Sequence, residues 1–393
     1  MTRSPALLLK AMMAAMQIAF ATWMVLQYNF AAEVLDFSAA QLGLQQSVRE
    51  IPGFLSFAAV FLLFVMREQI LAYVSLVLLA VGVMATGWWP TVTGFLVLTF
   101  VSSVGFHYYE TMNQSLTLQW LSKKEAPRVM GRILAVSGVA QLAAYALIFL
   151  AGRMFELDFN TLFVVAGGAT LVAVAWMWWA WPVFPEGTPQ TRAIVVRRRY
   201  WLYYALVFMG GARRQIFVVF AAWMMVERFG YAFHDVAALF FVNAGVLMLA
   251  GPLAGRMVER LGERRALIIE YVGLFAVFSA YAVVSNAWIA VALYIVDHAL
   301  FALAIAQKTY FQKIAAPSDI AATAGVAFSI NHVAAVVIPV LFGFLWLYWP
   351  ALVFGAGAAM ALVSLGLASF VPRDPKQGEE VAWPGARANL AQV

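Results

Sequence analysis

The chain contains no cysteine, and few of its residues carry a charge. The absence of cysteine from all 393 residues excludes disulfides, thiolate metal sites and a cysteine nucleophile. Charged residues make up 11% of the chain, against roughly a quarter of a typical soluble domain. There is also no phosphate-binding Gly–Lys–Ser loop, no HExxH zinc motif and no Gly-x-Ser-x-Gly elbow. The sequence therefore predicts no enzyme, no cofactor, no metal site and no nucleic-acid partner.

Apolar residues are in large excess instead. They make up 64% of the chain, whereas roughly half of a typical soluble protein is apolar. An apolar run of about 20 residues can cross a bilayer as a helix, and lipid offers the backbone no hydrogen-bond partners outside such a segment. The sequence therefore predicts an all-α integral membrane protein with about twelve transmembrane helices, the first of which is a retained span and not a cleaved signal peptide. The predicted spans are residues 7–33, 41–66, 70–88, 91–120, 132–152, 160–182, 200–226, 236–257, 265–284, 287–313, 320–345 and 348–371.

Lys and Arg are concentrated in alternate connections between the spans. SKKEAPRVMGR, TRAIVVRRRYW and RMVERLGERR are strongly basic, whereas connections such as GWWPT and SNAW have no basic residue. Because basic connections stay in the cytoplasm, we expect both termini to be cytoplasmic. We also expect a monomer in the inner (plasma) membrane of a bacterium.

Two segments of the first half recur in the second half. FATWM at 20–24 recurs as FAAWM at 220–224, and a longer stretch from Thr117 resembles one from Thr309. Unless this is chance similarity between apolar strings, the chain has two six-helix repeats in parallel orientation, as certain transporters do. The predicted division is an N-terminal six-helix bundle (1–182), a cytoplasmic linker (183–199), a C-terminal six-helix bundle (200–371) and a disordered cytoplasmic tail (372–393).

One connection carries a motif that points to a family. Between the eighth and ninth spans stands GRMVERLGERRAL, in which two glycines, an acid and several arginines follow a fixed spacing. Together with the two six-helix halves, this motif makes the chain resemble the major facilitator superfamily (MFS). The resemblance implies a central cavity between two halves and a cytoplasmic latch that favours one conformation; the alternative is an ordinary basic loop. The equivalent connection FVMREQ of the first half lacks the motif. The residues that match it are Gly255, Glu259, Arg260, Gly262, Arg264 and Arg265.

Two arginines lie inside the seventh predicted span. A charge at mid-membrane costs at least about 3 kcal/mol, so Arg213 and Arg214 need a wet cavity or a partner. In the first repeat their places are taken by Met13 and Ala14, which suggests that the charges serve a solute. Because neighbouring helical residues point about 100° apart, the two are not expected to reach the same place. At least one is predicted to bind an anion, and the alternative is an internal ion pair.

Further polar residues inside the spans are candidates for contacting the substrate. Arg49 of the second span could join the anion site, or could be solvated near the outer mouth. Asparagine, glutamine and histidine inside a span can bind a solute or hold helices together. These additional candidates are Asn113, Asn331, His332 and Gln17.

A second group of intramembrane residues can take up a proton. His107 and Glu110 are three residues apart on one helix, and a carboxylate in a low dielectric can titrate near neutrality. A structural salt bridge from Glu110 to one of the arginines is equally open. We expected Glu50 and Arg49, as neighbours, each to have a partner on another helix. The complete set of candidates for proton coupling is Glu110, His107, Asp297, His298 and Glu50.

These observations predict a secondary active transporter that works by alternating access. The preferred substrate is a small organic or amphipathic anion, with the proton as coupling ion. One alternative is efflux of lipophilic or cationic compounds, with Glu110 and Asp297 as the binding charges. The other is a non-transporting membrane receptor or assembly factor built on the same fold.

Overall fold

The computed structural model describes residues 4–121, 126–185, 196–316 and 319–382. Within these ranges the protein is helical, and no β-strand is present. The predicted fold class, an all-α membrane protein, is therefore confirmed.

The helices of the first half account for its apolar segments. They are α1 (Pro5–Asn29), α2 (Ala39–Phe54), α3 (Ala59–Leu62), α4 (Glu68–Ala85), α5 (Val92–Trp120), α6 (Ala126–Phe155) and α7 (Phe159–Ala180). A π-helical turn (Phe30–Val34) extends α1, and 3₁₀ turns lie at Ser56–Ala58 and Thr86–Trp88.

The second half begins with a 3₁₀ turn, Arg198–Tyr200. Its helices are α8 (Trp201–Gln215), α9 (Ala222–Glu227), α10 (Phe233–Leu261), α11 (Glu263–Val283), α12 (Ala287–Phe301), α13 (Ile305–Ile314), α14 (Ile320–Tyr348) and α15 (Pro350–Ser369). A π-helical segment (Ile216–Ala221) joins α8 to α9, and a 3₁₀ turn (Ala302–Ala304) joins α12 to α13.

Eleven helical segments of the described chain are long and apolar enough to cross a membrane. They correspond to eleven of the twelve predicted spans. The exception is the predicted span 41–66, because α2 is only 16 residues long and contains Pro52. Its buried face is also polar, so that α2 is suited to contacts inside the protein and less to contact with lipid.

The chain forms two compact units, which are described separately. Unit 1 comprises Met1–Gln190 and Val226–Ala244, and unit 2 comprises Thr191–Met225 and Gly245–Val393. The first boundary falls inside the predicted linker. Residues 226–244, which the sequence places in the C-terminal bundle, pack with the helices of unit 1.

Unit 1 is built around α4, which packs against both α5 and α7. Glycines allow this close packing: a Cβ on Gly105 would lie 2.3 Å from the backbone nitrogen of Leu79. α1 packs against α6 and α7, and α2 packs against α5. The polar helix α2 is thus held within the unit by its neighbours.

In unit 2, α8 packs against α14 and α15, and α11 packs against α15 and α12. The residues before α8 are anchored as well. Asp319 accepts hydrogen bonds from Arg197 (3.2 and 3.3 Å), Arg199 (2.9 Å) and Tyr200 (3.0 Å). The end of the predicted linker is therefore attached to the connection that precedes α14; residues 186–195 of the linker lie outside the described residues.

Part of the predicted tail is ordered against unit 2. Gln377 donates a hydrogen bond of 2.6 Å to the carbonyl of Ala315, and Tyr310 donates one of 2.5 Å to the carbonyl of Glu380. The backbone of Ala382 donates to Phe370 at 2.7 Å. Gln377, Glu380 and Ala382 of the predicted tail are therefore bonded to unit 2. Residues 383–393 lie outside the described residues.

Candidate functional site

The polar face of α2 forms a hydrogen-bonded network inside unit 1. Gln46 donates to Gln27 of α1 at 2.8 Å, and Gln45 donates both to Gln27 and to Thr99 of α5 at 3.3 Å. Arg49 donates from Nε to Oε1 of Gln46 at 3.0 Å. The guanidinium is thus positioned by side chains from its own helix and, through them, by α1.

Arg49 and Glu50 form an ion pair with each other. Nη2 of Arg49 lies 2.5 Å from Oε1 of Glu50, and the two side chains are 10% and 3% exposed. Arg49 also contacts another helix, since its Nη1 donates to Sδ of Met24 on α1 at 3.8 Å. The long arginine side chain folds back along α2, so that two adjacent residues can meet although their Cβ atoms point in different directions.

A small cavity in unit 1 borders this ion pair. Arg49 lines it together with Leu79, two serine hydroxyls and three aromatic rings. Two of the rings, Phe20 and Phe106, stack with their centroids 4.1 Å apart. The cavity has a volume of about 10 Å³ and mainly apolar walls, and the hydroxyls of both serines donate to backbone carbonyls. The serines and the third ring are Ser102, Ser103 and Trp23.

The other predicted site residues of unit 1 do not join this cavity lining. Gln17 donates to Ser137 of α6 at 2.7 Å, which holds α1 to α6. His107 is buried on α5, whereas Glu110, one turn further along, is exposed and Asn113 is half-buried. His107 and Glu110 therefore differ in burial, and a shared proton site of the two stays a prediction.

Unit 2 contains a buried cluster around Arg213. Its side chain is 1% exposed, and Nη2 lies 3.7 Å from Oε1 of the fully buried Glu270 on α11. The guanidinium carbon lies 4.4 Å from the centre of the Tyr271 ring, and Nη1 donates to the hydroxyl of Ser364 on α15. Asp297 of α12 is fully buried and lies within electrostatic range of both Arg213 and Glu270.

The residues beside this cluster have different surroundings. Arg214 is only half-buried on α8. His298 has Nδ1 2.8 Å from the carbonyl of Tyr294, one turn back along α12. Asn331 of α14 lies against α8, since a Cβ on Gly211 would be 2.8 Å from its amide nitrogen. His332 is buried, and its Nδ1 lies 2.9 Å from the carbonyl of Phe328.

The latch motif lies at the turn between α10 and α11. Gly262 has φ +77° and ψ 163°, a conformation that only glycine adopts easily, so its predicted role in a tight turn agrees with the backbone. Gly255 has open space where a Cβ would be, so no neighbouring helix described in the structure requires a glycine there. Arg264 is half-buried, and Arg260 and Arg265 are exposed.

The acid that is paired at this turn is not the predicted one. Glu259 is exposed and makes no ion pair with any residue that the structure describes. Glu263, four residues later, is buried and lies 2.8 Å from Nζ of Lys313 at the end of α13. A pocket of about 360 Å³ opens beside this pair. The ion pair at this turn therefore joins α11 to α13.

Sequence reasoning missed several of these residues. Glu270 stands alone in the apolar stretch RALIIEYVG, so the criterion that selected Asp297 could have found it as well. Tyr271, Ser364 and Gln307 give no comparable signal, because tyrosine, serine and glutamine are common in buried helices. Their contacts with one another are visible only after folding.

Eleven apolar helices and buried charges inside both units are the features of a multi-pass membrane transport protein. A sequence model described as the Major Facilitator Superfamily matches residues 7–339 and 203–392, and the chain belongs to this superfamily. The predicted resemblance is therefore confirmed. The protein is a transporter of the alternating-access type, as predicted, and not an enzyme.

Solved structures of other transporters share the fold. A mutant of the nucleoside transporter NupG superposes with a TM-score of 0.79 at 14% identity, covering 93% of this chain and 99% of that chain. A bacterial homologue of the human lysosomal transporter Spinster, in an inward-facing and occupied conformation, gives 0.75 at 14% identity, with coverage of 97% and 98%. A D-xylose-proton symporter gives 0.70 at 12% identity, with coverage of 94% and 98%. Comparison with curated proteins gave no significant match.

Proposed function

We propose that this transporter moves a small organic or amphipathic anion together with protons, and that Arg49 of unit 1 binds the anionic group. The observation that carries the proposal is the position of Arg49 in the lining of a cavity, whose volume of about 10 Å³ would have to widen in another state of the transport cycle to admit the substrate. A guanidinium is a planar fork that suits a carboxylate or phosphate. The rings of Phe20, Trp23 and Phe106 are suited to the apolar body of such a molecule.

The ion pair between Arg49 and Glu50 connects anion binding to the proton. An entering anion competes with the Glu50 carboxylate, which lies 2.5 Å from the guanidinium. A proton on Glu50 removes its negative charge and releases Arg49 for the substrate. Anion and proton then bind together, which makes the proposed mode of transport symport. The net charge of the site stays the same, because the negative charge of the anion replaces that of Glu50.

The proposal moves the main anion contact from Arg213 to Arg49. Arg213 is enclosed by Glu270, Tyr271 and Ser364 within unit 2, and an anion would have to displace a buried carboxylate to reach it. Arg214 remains a second candidate for the anion because it is half-buried. The remaining candidates for polar contacts to substrate are Gln17, Asn113, Asn331 and His332, and those for proton transfer are His107, Glu110, Asp297 and His298.

The turn between α10 and α11 is proposed as the cytoplasmic latch. Its features are the glycine turn at Gly262 and the ion pair of Glu263 with Lys313. Of the other motif residues, Gly255 and Glu259 line the pocket beside this pair, and Arg260, Arg264 and Arg265 lie close to Glu263 in the sequence. We further propose a bacterial inner-membrane location, cytoplasmic termini and a monomer.

The names of the structural relatives support transport of a polar organic solute. One is a nucleoside transporter and another couples D-xylose to the proton. The exposed carboxylate of Glu110 on α5 supports one different candidate, the efflux of lipophilic or cationic compounds. The charge of the substrate is therefore the property to test.

The test is a thermal-shift screen of the purified full chain with carboxylates, phosphate esters and lipophilic cations at two pH values. We expect particular anions to raise the unfolding temperature of the native chain, more so at the lower pH. Arg49→Ala should abolish this stabilisation. Arg153→Ala is the matched control, because it removes an exposed arginine of the same unit and should leave the response unchanged.

Glu50→Gln tests the coupling step. It should bind the same anions equally well at both pH values, because the competing carboxylate has been removed. Anion stabilisation that persists in folded Arg49→Ala would refute the proposed site. Stabilisation by lipophilic cations that is lost in Glu110→Gln would favour efflux. Compounds identified in this way are then followed as flux into sealed vesicles.

A further inference from the structure

Three consecutive arginines stand where the chain of unit 2 enters its first apolar span. Arg197, Arg198 and Arg199 come shortly before Trp201, the first residue of α8, and the span that contains α8 begins at Arg198. All three arginine side chains are exposed. Positive charge is therefore concentrated at one end of this span, and the three residues are referred to below as the arginine turn.

One carboxylate fixes the positions of two of the arginines. The Asp319 side chain is only 4% exposed, and it accepts hydrogen bonds from Nε and Nη2 of Arg197 at 3.3 and 3.2 Å. It also accepts one from Nη2 of Arg199 at 2.9 Å. The guanidinium carbon of Arg199 lies 4.8 Å from the centre of the Tyr200 ring. Both guanidinium groups are thus held in place by the fold before a ligand binds.

The arginine turn carries more positive charge than Asp319 compensates. One negative charge faces three positive ones, which leaves a net charge of +2. The side chains of Arg197 and Arg199 remain 54% and 43% exposed, and each guanidinium has five N–H donors, several of which these contacts leave unused. Arg198 makes no hydrogen bond or ion pair with any residue in the described part of the chain. The turn therefore has both charge and donors for an external anion.

Exposed apolar side chains flank the arginine turn on both sides. Val196 is 64% exposed and Trp201 is 39% exposed. Tryptophan at the end of a span is typical of the level of the lipid headgroups, where its ring faces both the acyl chains and water. A guanidinium group binds phosphate through two parallel hydrogen bonds. Groups that suit a phosphate and groups that suit acyl chains are therefore neighbours here.

We infer that the arginine turn binds the headgroup phosphate of an anionic phospholipid such as phosphatidylglycerol, and that this lipid anchors the start of α8 at the membrane surface. A free phosphate ion would leave the exposed apolar side chains in water. A zwitterionic phospholipid fits less well, because its ammonium group would be repelled by the net positive charge of the turn. The inference goes beyond the proposed transport function and does not depend on the binding of an anion at Arg49.

The test is fluorescence quenching of the full chain in vesicles of phosphatidylcholine and phosphatidylglycerol. Because the chain has no cysteine, Val196→Cys places a single fluorophore beside the arginine turn, and Ser285→Cys places one in the exposed connection between α11 and α12. Bromine atoms on the acyl chains of one lipid or the other, at constant lipid composition, quench only nearby fluorophores. Brominated phosphatidylglycerol should quench the fluorophore at position 196 more than its mole fraction predicts, and the one at position 285 only in proportion to it.

Substitutions in the Val196→Cys chain test the charge of the turn. Arg198→Gln removes a side chain that has no partner in the described structure, so the fold should be kept. An arginine at the membrane surface contributes about 1 kcal/mol to the attraction of anionic lipid, so the affinity for phosphatidylglycerol relative to phosphatidylcholine should fall by up to about fivefold. The double variant Arg197→Gln/Arg198→Gln should lower it further. Arg256→Gln, which removes an exposed arginine of α10 in the same unit, is the control and should leave it unchanged.

Other outcomes would overturn the inference. Quenching at position 196 that follows the mole fraction of both lipids would do so, as would an enrichment that persists in the folded double variant. Loss of the enrichment in inorganic phosphate, but not in sodium chloride of equal ionic strength, would favour a site for soluble phosphate instead. An equal decline in both salts supports the lipid, because salt screens charges at a surface. If neither variant folds, these salt titrations of the Val196→Cys chain decide.

Discussion

Arg213 and Arg214 are adjacent in sequence but have different surroundings. Arg213 is fully buried between α8, α11 and α15, whereas Arg214 is half-buried. Neighbouring helical residues point about 100° apart, so such a difference is expected of any helix packed on one side. Which of the two faces the acids depends on how α8 is rotated, and only the folded structure specifies this.

Substitution of Arg213 by Met tests whether its charge compensates the buried acids. Met fills a similar volume, but Glu270 and Asp297 lose their common cation. Removal of one partner from a buried ion pair typically costs about 3–5 kcal/mol, so the unfolding temperature should fall clearly. Thermal unfolding in detergent at neutral pH is the measurement.

Two comparisons show whether this loss is electrostatic. Arg256→Met removes an exposed arginine of α10 and should change stability by no more than about 0.5 kcal/mol. Arg213→Met combined with Glu270→Gln should recover part of the loss, because one buried negative charge is removed as well. If the double variant were less stable than Arg213→Met alone, the ion-pair explanation would be wrong.

Asp319, which precedes α14, makes a pH-dependent contribution to the stability of unit 2. Hydrogen bonds from Arg197, and then from Arg199 and Tyr200, hold the pKa of its carboxyl below the usual range. Because the folded pKa is lowered, the stabilisation is present above the unfolded value of about 3.9 and is lost as the pH falls through the folded value. Asp319→Asn should therefore lower the unfolding temperature at pH 7.

Asp319→Asn should lower the unfolding temperature less at acidic pH than at pH 7. Below about pH 4 the difference between Asp319→Asn and the native chain should shrink, because the native carboxyl then becomes protonated too. Asp374→Asn is the control, since Asp374 is an exposed acid of the same unit. A difference that stays constant over the whole pH range would show that the charge of Asp319 is not what stabilises the contact.

Among the helices, α2 departs most from the pattern of the rest. Its 16 residues include buried Gln45, Gln46, Arg49 and Glu50, and the helix ends two residues after Pro52. A prediction from hydropathy assumes that lipid surrounds the helix. In the structure, α2 is stabilised by hydrogen bonds to α1 and α5. The segment that sequence reasoning described least well is therefore the one that carries the proposed anion site.

Substitution of two glycines of the latch motif by alanine should change the stability of the protein in opposite directions. Gly262→Ala places a side chain at φ +77° and ψ 163°, which costs of the order of 1–3 kcal/mol. Gly255→Ala lies inside α10 with open space around it, and alanine favours a helix by about 1 kcal/mol over glycine. Thermal unfolding of both variants is the measurement. Equal destabilisation by the two changes would contradict the assignment of the turn to Gly262.

For the whole molecule, the proposed orientation in the membrane can be tested directly because the chain has no cysteine. A single introduced cysteine is then the only thiol. Asp374→Cys lies after α15 on the proposed cytoplasmic side, and Ser285→Cys lies in the exposed connection between α11 and α12 on the other side. In intact cells a membrane-impermeant maleimide should label Ser285→Cys and should label Asp374→Cys only after lysis.

The reverse labelling pattern would contradict the positive-inside assignment, and with it the cytoplasmic position of the latch. Equal labelling of both positions in intact cells would show that at least one connection is placed wrongly. Labelling of both variants in lysed cells is the control for reactivity, since both positions are exposed in the fold.

The apolar runs of the sequence predicted eleven of the spans, because in lipid each run must satisfy its own backbone hydrogen bonds whatever its neighbours are. Together with the motif after the eighth span, they also predicted the family. The same reasoning selected Asp297 and Arg213 as residues that need partners. It did not select Glu270, and it did not predict that Arg49 and Glu50 pair with each other. Hydropathy measures each residue along the chain and carries no information about which side chains meet.

The sequence by itself determined that this protein is a helical membrane transporter of the Major Facilitator Superfamily, because composition and the order of apolar segments are properties of the chain. Only the tertiary structure decided which charges lie together. Arg213 and Ser364 are 151 residues apart, and their contact depends on the packing and rotation of α8 against α15. The partner of a buried charge lies on another helix, and the position of that helix is set by the packing of the whole unit.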